Sequence, residues 1–294
     1  TFPTWNSYPA LFASLATGNS VIVKPHPGAI LPLAITLRIA RDVIKEAGFD
    51  PNIALLAADE ADAPVTKDFV TNDAIATIDF TGSPAFGAWV RDHAATDLVF
   101  TEEAGINPIV IDSTNDFRGM CGNIAFSLSL YSGQMCTAPQ NIFVPAGGIA
   151  TNDGHKSFDD VAAGITTAID KLLGDPERAA GILGAVQNEA TLHRIADARK
   201  LGRVVRDSGV APVPGFPGAR TASPLVLAVD AADEAAWGEE RFGPISLIVK
   251  TASTADSVKR AAESTKRKGA ITASLYSTDD EVIDAASDAF ARAG

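Results

Sequence analysis

The sequence predicts an α/β protein in which parallel sheets carry helices on both faces. Short apolar runs, such as residues 20–24 and 245–250, alternate along the chain with amphipathic helical patterns. Strands that alternate with helices form parallel sheets, because each crossover helix packs back onto the sheet. The chain has 294 residues, 46% of them hydrophobic, which is enough for two such domains with large cores.

The first hundred residues predict four strands, at 20–24, 52–57, 76–80 and 97–101. Helices are predicted at residues 8–17, 30–47 and 84–94. In the second of these, Leu33 and Leu37 share a face opposite Arg38 and Asp42. Ligands of parallel sheets bind at the carboxyl ends of the strands. The loops that follow Val23, Phe80 and Thr101 are therefore the candidate binding loops.

A second strand and helix pattern begins after Gly105. Strands are predicted at 107–112, 142–145, 201–207, 224–229, 245–250 and 270–277, and helices at 117–131, 158–173, 189–200, 255–268 and 281–293. The chain therefore divides into a first domain at residues 1–104 and a second at 105–294.

Composition excludes several classes of function. A formal net charge of −12 disfavours nucleic acid and anionic membrane surfaces as partners. The two cysteines, Cys121 and Cys136, form no disulfide framework, which indicates a reducing cytoplasm. The four histidines lack metal-ligand spacing, so no metal site is expected. Prolines and glycines interrupt the uncharged run at the N-terminus, which is therefore neither a membrane span nor a signal peptide.

Cys136 lies in a small-residue turn at residues 132–139. No charged residue occurs between Arg118 and Asp153, so this segment is expected to pack deep in the fold. A thiol in such a place is either a core filler or a protected nucleophile. Small neighbours such as Gly133 and Ala138 favour the second interpretation, because they leave room for a substrate at the sulfur.

Three of the predicted binding loops carry polar candidates. Lys24 ends the first strand, and its side chain is either exposed to solvent there or binds a ligand. Gly82 and Ser83 open a helix after the third strand, where backbone amides make a natural phosphate site. Glu102 and its neighbour Glu103 follow the fourth strand, as a solvated turn or as carboxylates that face a ligand. Neither GxGxxG nor GxxxxGK[ST] occurs in the chain.

Six segments together resemble the aldehyde dehydrogenase superfamily. They are Trp5-Asn6, Gly18-Asn19-Ser20-Val21-Ile22-Val23-Lys24-Pro25, Phe80-Thr81-Gly82-Ser83, Glu102-Glu103-Ala104-Gly105-Ile106-Asn107-Pro108, Gly133-Gln134-Met135-Cys136-Thr137-Ala138-Pro139 and Glu239-Glu240-Arg241-Phe242-Gly243-Pro244. They occur in the family's order across nearly the whole chain. The resemblance implies a Rossmann-like cofactor domain followed by an α/β catalytic domain.

The resemblance also implies the catalytic roles. Cys136 would attack an aldehyde as thiolate, while the Asn6 amide and the Cys136 backbone N–H hold the oxyanion. Loss of hydride would leave a thioester on the sulfur. Glu102 would activate the water that hydrolyses this thioester, with Glu103 as the alternative base. The substrate is then a small-molecule aldehyde.

The same resemblance assigns the cofactor residues. Lys24 and Glu240 would bind the ribose hydroxyls of NAD or NADP, with Phe242 at the nicotinamide ribose. Gly82 and Ser83 would lie near the pyrophosphate, and Trp5 belongs to the same cofactor-domain motifs. Many NAD-preferring relatives have a glutamate three residues after the lysine, where this chain has Pro27. Loss of that carboxylate favours NADP over NAD.

Departures from the family pattern qualify this assignment. The usual glycine-glycine-lysine after the base is Ala104-Gly105-Ile106 here, and the loop after the second strand is Ala57-Ala58-Asp59-Glu60-Ala61-Asp62. No adenine contacts are therefore transferred to that loop.

The whole stretch of residues 4–28 most resembles the branch associated with phenylacetic acid degradation. The chain resembles a piece of a longer protein, and family membership implies a homo-oligomer. A CoA-acylating relative and a non-catalytic protein of the same fold are the alternatives.

Overall fold

The computed structural model describes residues 3–103 and 105–294, without the side chain of Pro3. The chain divides into two compact units, Thr1–Glu103 and Ala104–Gly294. The boundary expected from sequence falls at Ala104, which lies outside the described residues. Both units alternate strands with helices, and nearly all strand pairs are parallel. The predicted α/β class is confirmed.

The first unit contains four helices and four short strands in its described part. In chain order they are α1 (Pro3–Ala16), β1 (Val21–Val23), α2 (Ile30–Glu46), β2 (Ala54–Leu56), α3 (Thr66–Val70), β3 (Ile78–Thr81), α4 (Pro84–His93) and β4 (Val99–Glu102). The expected single sheet is not formed among the described residues. β1 pairs in parallel with β2, and β3 with β4, as two separate ladders. Leu11, Leu33 and Leu37 pack with Val23 and Ala54 as the core of the first pair.

Helix α1 corrects one prediction. A helix was expected from residue 8, with Trp5 and Asn6 before it, but α1 already begins at Pro3 and includes Pro9. A proline suits the first turn of a helix, because the N–H it lacks would have no partner there, so Pro3 is a better start than Tyr8. Trp5 and Asn6 therefore lie in the first turn of α1.

The second unit is larger. Its elements are β5 (Asn107–Ile111), β6 (Ser113–Thr114), α5 (Phe117–Ser129), β7 (Pro139–Pro145), β8 (Ile149–Thr151), β9 (Gly154–Lys156), α6 (Phe158–Leu172), α7 (Pro176–Leu183), α8 (Glu189–Ala198), β10 (Arg203–Arg206), β11 (Leu225–Asp230), α9 (Glu234–Trp237), β12 (Ile245–Thr251), α10 (Thr254–Lys268), β13 (Ser274–Tyr276) and α11 (Asp280–Ala293).

A six-stranded sheet organises this unit, in the order β10-β11-β12-β7-β5-β13. All neighbours are parallel except the edge strand β10, which is antiparallel to β11. Side chains alternate between two buried clusters. One cluster contains Phe143, Leu247 and Trp237, and the other contains Ile142, Ile248 and Ile165. The sheet is therefore covered by helices on both of its faces.

Two differences from the predicted elements have clear causes. Only Ser274–Tyr276 of the expected strand 270–277 is strand, because the Asn107 side chain accepts hydrogen bonds from the N–H groups of Ile271 and Thr272. Helix α7 was missed, although the chain there offers Asp175 as a helix cap before Pro176. The Asp175 carboxylate accepts from the N–H of Arg178 at 2.8 Å.

Candidate active site

Cys136 lies half-buried in the turn between α5 and β7. The segment that leads into it is unusual, since Tyr131, Ser132 and Gly133 have positive φ values of 51°, 54° and 59°. Non-glycine residues rarely adopt this left-handed conformation, so it persists only where the surroundings hold it. We name residues 130–138 the nucleophile turn.

Buried polar side chains hold the nucleophile turn in this conformation. The Ser132 hydroxyl lies within 3.0 Å of the carbonyl of Leu183 and 2.8 Å of that of Ala222. The Gln134 amide donates to the carbonyls of Tyr131 and Ala185, and its oxygen accepts from the N–H of Gln187. Ser132 and Gln134 are almost completely buried. The polar residues in this uncharged stretch therefore serve to fix its backbone.

Asn107, at the start of β5, clamps the carbonyl side of Cys136. Its amide nitrogen donates to the carbonyl oxygens of Cys136, at 2.7 Å, and Ala138, at 3.1 Å. Its oxygen accepts from the N–H groups of Ile271 and Thr272, both at 3.0 Å. Every hydrogen-bonding atom of this buried side chain is used, so Asn107 ties three segments of the second unit together at the cysteine.

The segment 239–244 packs against the nucleophile turn. A Cβ added to Gly133 would lie 2.5 Å from the carbonyl oxygen of Gly243, so only glycine fits at position 133. Glu240 is half-buried and accepts from the N–H of Gly105 at 3.4 Å. Burial raises the pKa of Glu240, while that hydrogen bond and the charge of Arg194 act in the opposite direction. The Arg194 guanidinium also donates to the Phe242 carbonyl.

Glu102 and Glu103 have different surroundings. Glu103 forms an ion pair with Arg91 of α4, and its carboxylate packs over Gly87, where a Cβ would collide with it. Glu102 ends β4 with an exposed side chain. Burial and the neighbouring charge of Glu102 both raise the pKa of Asp79. The Glu103 carboxylate is therefore held in an ion pair, whereas the Glu102 side chain is exposed at the end of β4.

Lys24 lies directly after β1 and forms a 2.8 Å ion pair with Asp59, from the loop after β2. The Asp59 carboxylate also accepts from the N–H of Val65 at 3.1 Å. Burial alone would raise the pKa of Asp59, but the hydrogen bonds from Lys24 and Val65, with the lysine charge, hold it below its usual value. Asp59 was not among the residues predicted from the sequence.

Gly82 and Ser83 lie at the beginning of α4. The Ser83 hydroxyl caps the helix by accepting from the N–H of Phe86 at 3.4 Å. A Cβ on Gly82 would lie 2.4 Å from the Phe80 ring, which explains the glycine. Exposed N–H groups at a helix start are a general anion site, as the sequence predicts.

Trp5 and Asn6 are exposed on the first turn of α1, with 75% of the surface of Trp5 accessible. They belong to the first unit, as do Lys24, Gly82, Ser83 and Glu102. Cys136, Glu240 and Phe242 belong to the second.

Cys121 differs from Cys136 in its surroundings. It is buried in α5 among the apolar residues of the sheet core. Burial raises the pKa of its thiol to about 12, so it stays protonated at neutral pH. Within residues 3–103 and 105–294, no three His, Cys, Asp or Glu side chains converge as metal ligands. No helix in this described part combines the length and apolar character needed to span a bilayer.

Comparison with known proteins places the chain in a family. The profile of the "Aldehyde dehydrogenase family" matches residues 1–294. The chain belongs to the aldehyde dehydrogenase family. The match covers the segments of both units that the sequence analysis singled out.

Solved and curated relatives agree with this assignment. The chain is similar to an NAD-dependent aldehyde dehydrogenase from Burkholderia multivorans, whose crystal structure superposes with a TM-score of 0.95. The two sequences are 56% identical, and the match covers 100% of this chain and 53% of that protein's chain. An N-succinylglutamate 5-semialdehyde dehydrogenase from Burkholderia orbicola is 28% identical over 271 residues, 88% of this chain and 50% of the relative. A vanillin dehydrogenase from Corynebacterium glutamicum is 28% identical over 276 residues, 89% of this chain and 51% of the relative. The chain spans about half the length of these proteins.

Sequence reasoning missed three residues that organise the aldehyde dehydrogenase motifs. Asn107 was part of a quoted motif, but its bonds to the Cys136 carbonyl were not predicted. Asp59 carried a signal, since it lies in the loop after the second strand, whose sequence departs from the family pattern. Arg194, which binds the Phe242 carbonyl, lies on an ordinary amphipathic helix and carried none.

Proposed function

We propose that the full-length protein oxidises a small-molecule aldehyde to a carboxylic acid, with NAD or NADP as hydride acceptor. The observation that best supports this proposal is the setting of Cys136. Its half-buried thiol lies in a backbone turn that Asn107 and Gln134 hold in place. A core filler needs no such support, because apolar packing alone would position it. The names of the relatives, which are aldehyde dehydrogenases, support the same activity.

The chemistry begins at Cys136. Its thiolate attacks the aldehyde carbon, a C–S bond forms, and the carbonyl electron pair moves to oxygen. We assign the Asn6 amide and the Cys136 backbone N–H as donors to this oxyanion. One such donor typically contributes about 3 kcal/mol to the transition state. The clamp by Asn107 on the Cys136 carbonyl keeps the adjoining backbone from shifting as charge develops.

A bound dinucleotide supplies the acceptor for the hydride that leaves the same carbon. Cys136 then carries a thioester. We assign Glu102 as the base that takes a proton from water, which attacks the thioester carbon. The C–S bond breaks, Cys136 leaves as thiolate, and the product is the carboxylic acid.

The residues present fit a dinucleotide. Lys24 offers an ammonium at the carboxyl ends of β1 and β2, where ligands of parallel sheets bind. Gly82 and Ser83 place the N-terminus of α4 directly after β3, and the positive end of a helix suits a pyrophosphate. Glu240 offers a half-buried carboxylate for ribose hydroxyls, and Phe242 and Trp5 offer aromatic surface.

A role in phenylacetate degradation is a finer proposal. It is supported by the resemblance of residues 4–28 to that branch of the family. We also propose that the full-length protein is a homo-oligomer, as the resemblance implies, and that it is cytoplasmic, because its two cysteines form no disulfide framework.

Replacement of Glu102 tests the proposed mechanism. Glu102→Gln should still form the thioester and release one equivalent of reduced cofactor per site in a rapid burst. Steady turnover should then fall by roughly 10²–10⁴, the usual contribution of a positioned base. Rapid-mixing absorbance of the reduced cofactor in the full-length protein measures both phases. If Glu102 also deprotonates Cys136, the burst itself slows.

Glu103→Gln is the matched control. Because Glu103 is paired with Arg91, its loss should weaken that contact and leave steady turnover nearly unchanged. If Glu103→Gln lost steady turnover while Glu102→Gln kept it, the base would be Glu103 and not Glu102. CoA-dependent turnover of the unmutated protein would instead favour the acylating activity, and absence of any aldehyde oxidation would favour a non-catalytic role.

A further inference from the structure

The ion pair between Lys24 and Asp59 lies where a nucleotide ribose is expected. Lys24 follows β1 directly, and Asp59 belongs to the loop that leaves the neighbouring parallel strand β2. The ladder continues past β2, since the N–H of Ala57 donates to the carbonyl of Val23 at 2.9 Å. Both charged side chains therefore leave the carboxyl ends of adjacent strands, which is the ligand-binding edge of a parallel sheet.

Asp59 is buried to an extent that is rare for a carboxylate. Its side chain has 0% of its surface exposed, against 20% for Lys24. One oxygen, Oδ2, receives both Lys24 and the N–H of Val65, whereas Oδ1 is buried and has no hydrogen-bond partner among the described residues. The carboxylate therefore sets a negative charge directly against the Lys24 ammonium, in surroundings that the solvent barely reaches.

The other titratable groups beside Lys24 do not add a second fixed cation. His26 accepts a hydrogen bond at Nδ1 from the N–H of Gly28, at 3.0 Å, which requires that this nitrogen be unprotonated. Glu60 and Asp62 are exposed, so solvent and salt screen their charges. The fixed charges of the site are therefore one ammonium and one buried carboxylate, which compensate each other.

We propose that Asp59 makes this site select NAD over NADP, an inference that rests on the proposed function. A compensated Lys24–Asp59 pair suits the two neutral hydroxyls of an adenosine ribose. It lacks the excess positive charge that a 2′-phosphate needs, and the buried carboxylate repels that phosphate. The sequence favoured NADP, because Pro27 stands where many NAD-preferring relatives have a glutamate. The structure supplies a carboxylate to the same lysine from the loop after β2.

Equilibrium binding of NADH and NADPH to the full-length protein tests this inference without reference to aldehyde oxidation. Titration calorimetry gives both dissociation constants for the unmutated protein and for Asp59→Asn. Asparagine keeps an acceptor for the Val65 N–H and removes only the charge. The ratio of the NADPH to the NADH dissociation constant should fall by roughly tenfold or more in Asp59→Asn. Glu60→Gln, which removes an exposed charge from the same loop, should change the ratio by less than about threefold.

Several outcomes would overturn the inference. The unmutated protein could bind NADPH more tightly than NADH, which decides the question even if a variant fails to fold. Alternatively, Asp59→Asn could melt at the normal temperature and keep the original ratio, which would make the ion pair structural only. Asp59→Glu, which restores the charge, must retain the preference for NADH. Selective NADH binding without aldehyde oxidation would refute the proposed function alone, whereas oxidation with no dependence on Asp59 would refute this inference alone.

Discussion

At the scale of single residues, the two cysteines show how surroundings decide chemistry. Cys121 is enclosed by the apolar side chains of α5, α6 and the sheet, and burial raises its pKa to about 12. Cys136 lies half-buried in the nucleophile turn, among small residues. Only the thiolate is a good nucleophile, so burial keeps Cys121 unreactive, and Cys136 is the residue that we propose as the nucleophile.

Cys136→Ala should abolish aldehyde oxidation, because it removes the proposed nucleophile, while dinucleotide binding survives. In the native protein at pH 8, a thiol reagent should label Cys136 and leave Cys121 unlabelled, as peptide mapping by mass spectrometry would show. Cys121 should become labelled only when the protein is denatured. Cys121→Ala, the matched control, should retain turnover. If Cys121→Ala loses turnover and Cys136→Ala does not, the assignment of the nucleophile is wrong.

At the scale of elements, the nucleophile turn depends on backbone geometry that neighbouring segments impose. Tyr131 and Ser132 store strain because they are non-glycine residues with positive φ, and the hydrogen bonds of Ser132, Gln134 and Asn107 offset it. Gly133 is the tightest point, since its α-carbon faces the carbonyl of Gly243. The segment 239–244 can approach the turn this closely only because residue 133 has no side chain.

Gly133→Ala should destabilise the protein by about 1–3 kcal/mol, through the unfavourable φ and the collision with Gly243. It should also lower the rate of aldehyde oxidation, because relief of the collision moves Cys136. Gly147→Ala is the control, since a Cβ there meets nothing within 4 Å and its φ is not positive. Thermal unfolding and steady-state rates measure both effects. Equal melting temperatures for the two variants would contradict the close contact.

At the scale of the whole molecule, the two units differ in how well their backbone amides are protected from exchange with solvent. In the second unit, β7 and β12 each pair with a strand on both sides and lie between two apolar clusters. In the first, β1 and β2 form a ladder of only two short strands within the described residues. Protection against local opening follows the number of buried contacts and paired strands.

Hydrogen exchange followed by mass spectrometry should therefore show the slowest amides in β7 and β12. Amides of β1 and β2 should exchange faster, because among residues 3–103 each strand pairs along one edge only and packs on a smaller core. The short edge strand β13 serves as the internal control and should exchange faster than β7. Uniform protection across both units would refute this ranking.

Much of the fold could be predicted because the relevant signals are local. Helix α6 begins at Ser157 as a capping box, in which Ser157 and Asp160 exchange hydrogen bonds, and its apolar period marks its buried face. The strands β11 and β12 are continuous apolar runs, as buried parallel strands require. Elements with weaker local signals, such as α3 and α9, were missed, because five or fewer residues carry no readable period.

The sequence by itself determined the α/β class, the turn that contains Cys136 and the order of the family motifs, because periodicity and turn chemistry depend on neighbouring residues. The tertiary structure alone decided which polar groups meet. Asn107 reaches the Cys136 carbonyl across 29 positions and the Ile271 N–H across 164, and Asp59, not a residue near Pro27, supplies the carboxylate for Lys24. Such pairings depend on the path of the chain in space, since a buried donor or acceptor takes whichever partner the fold brings within about 3 Å.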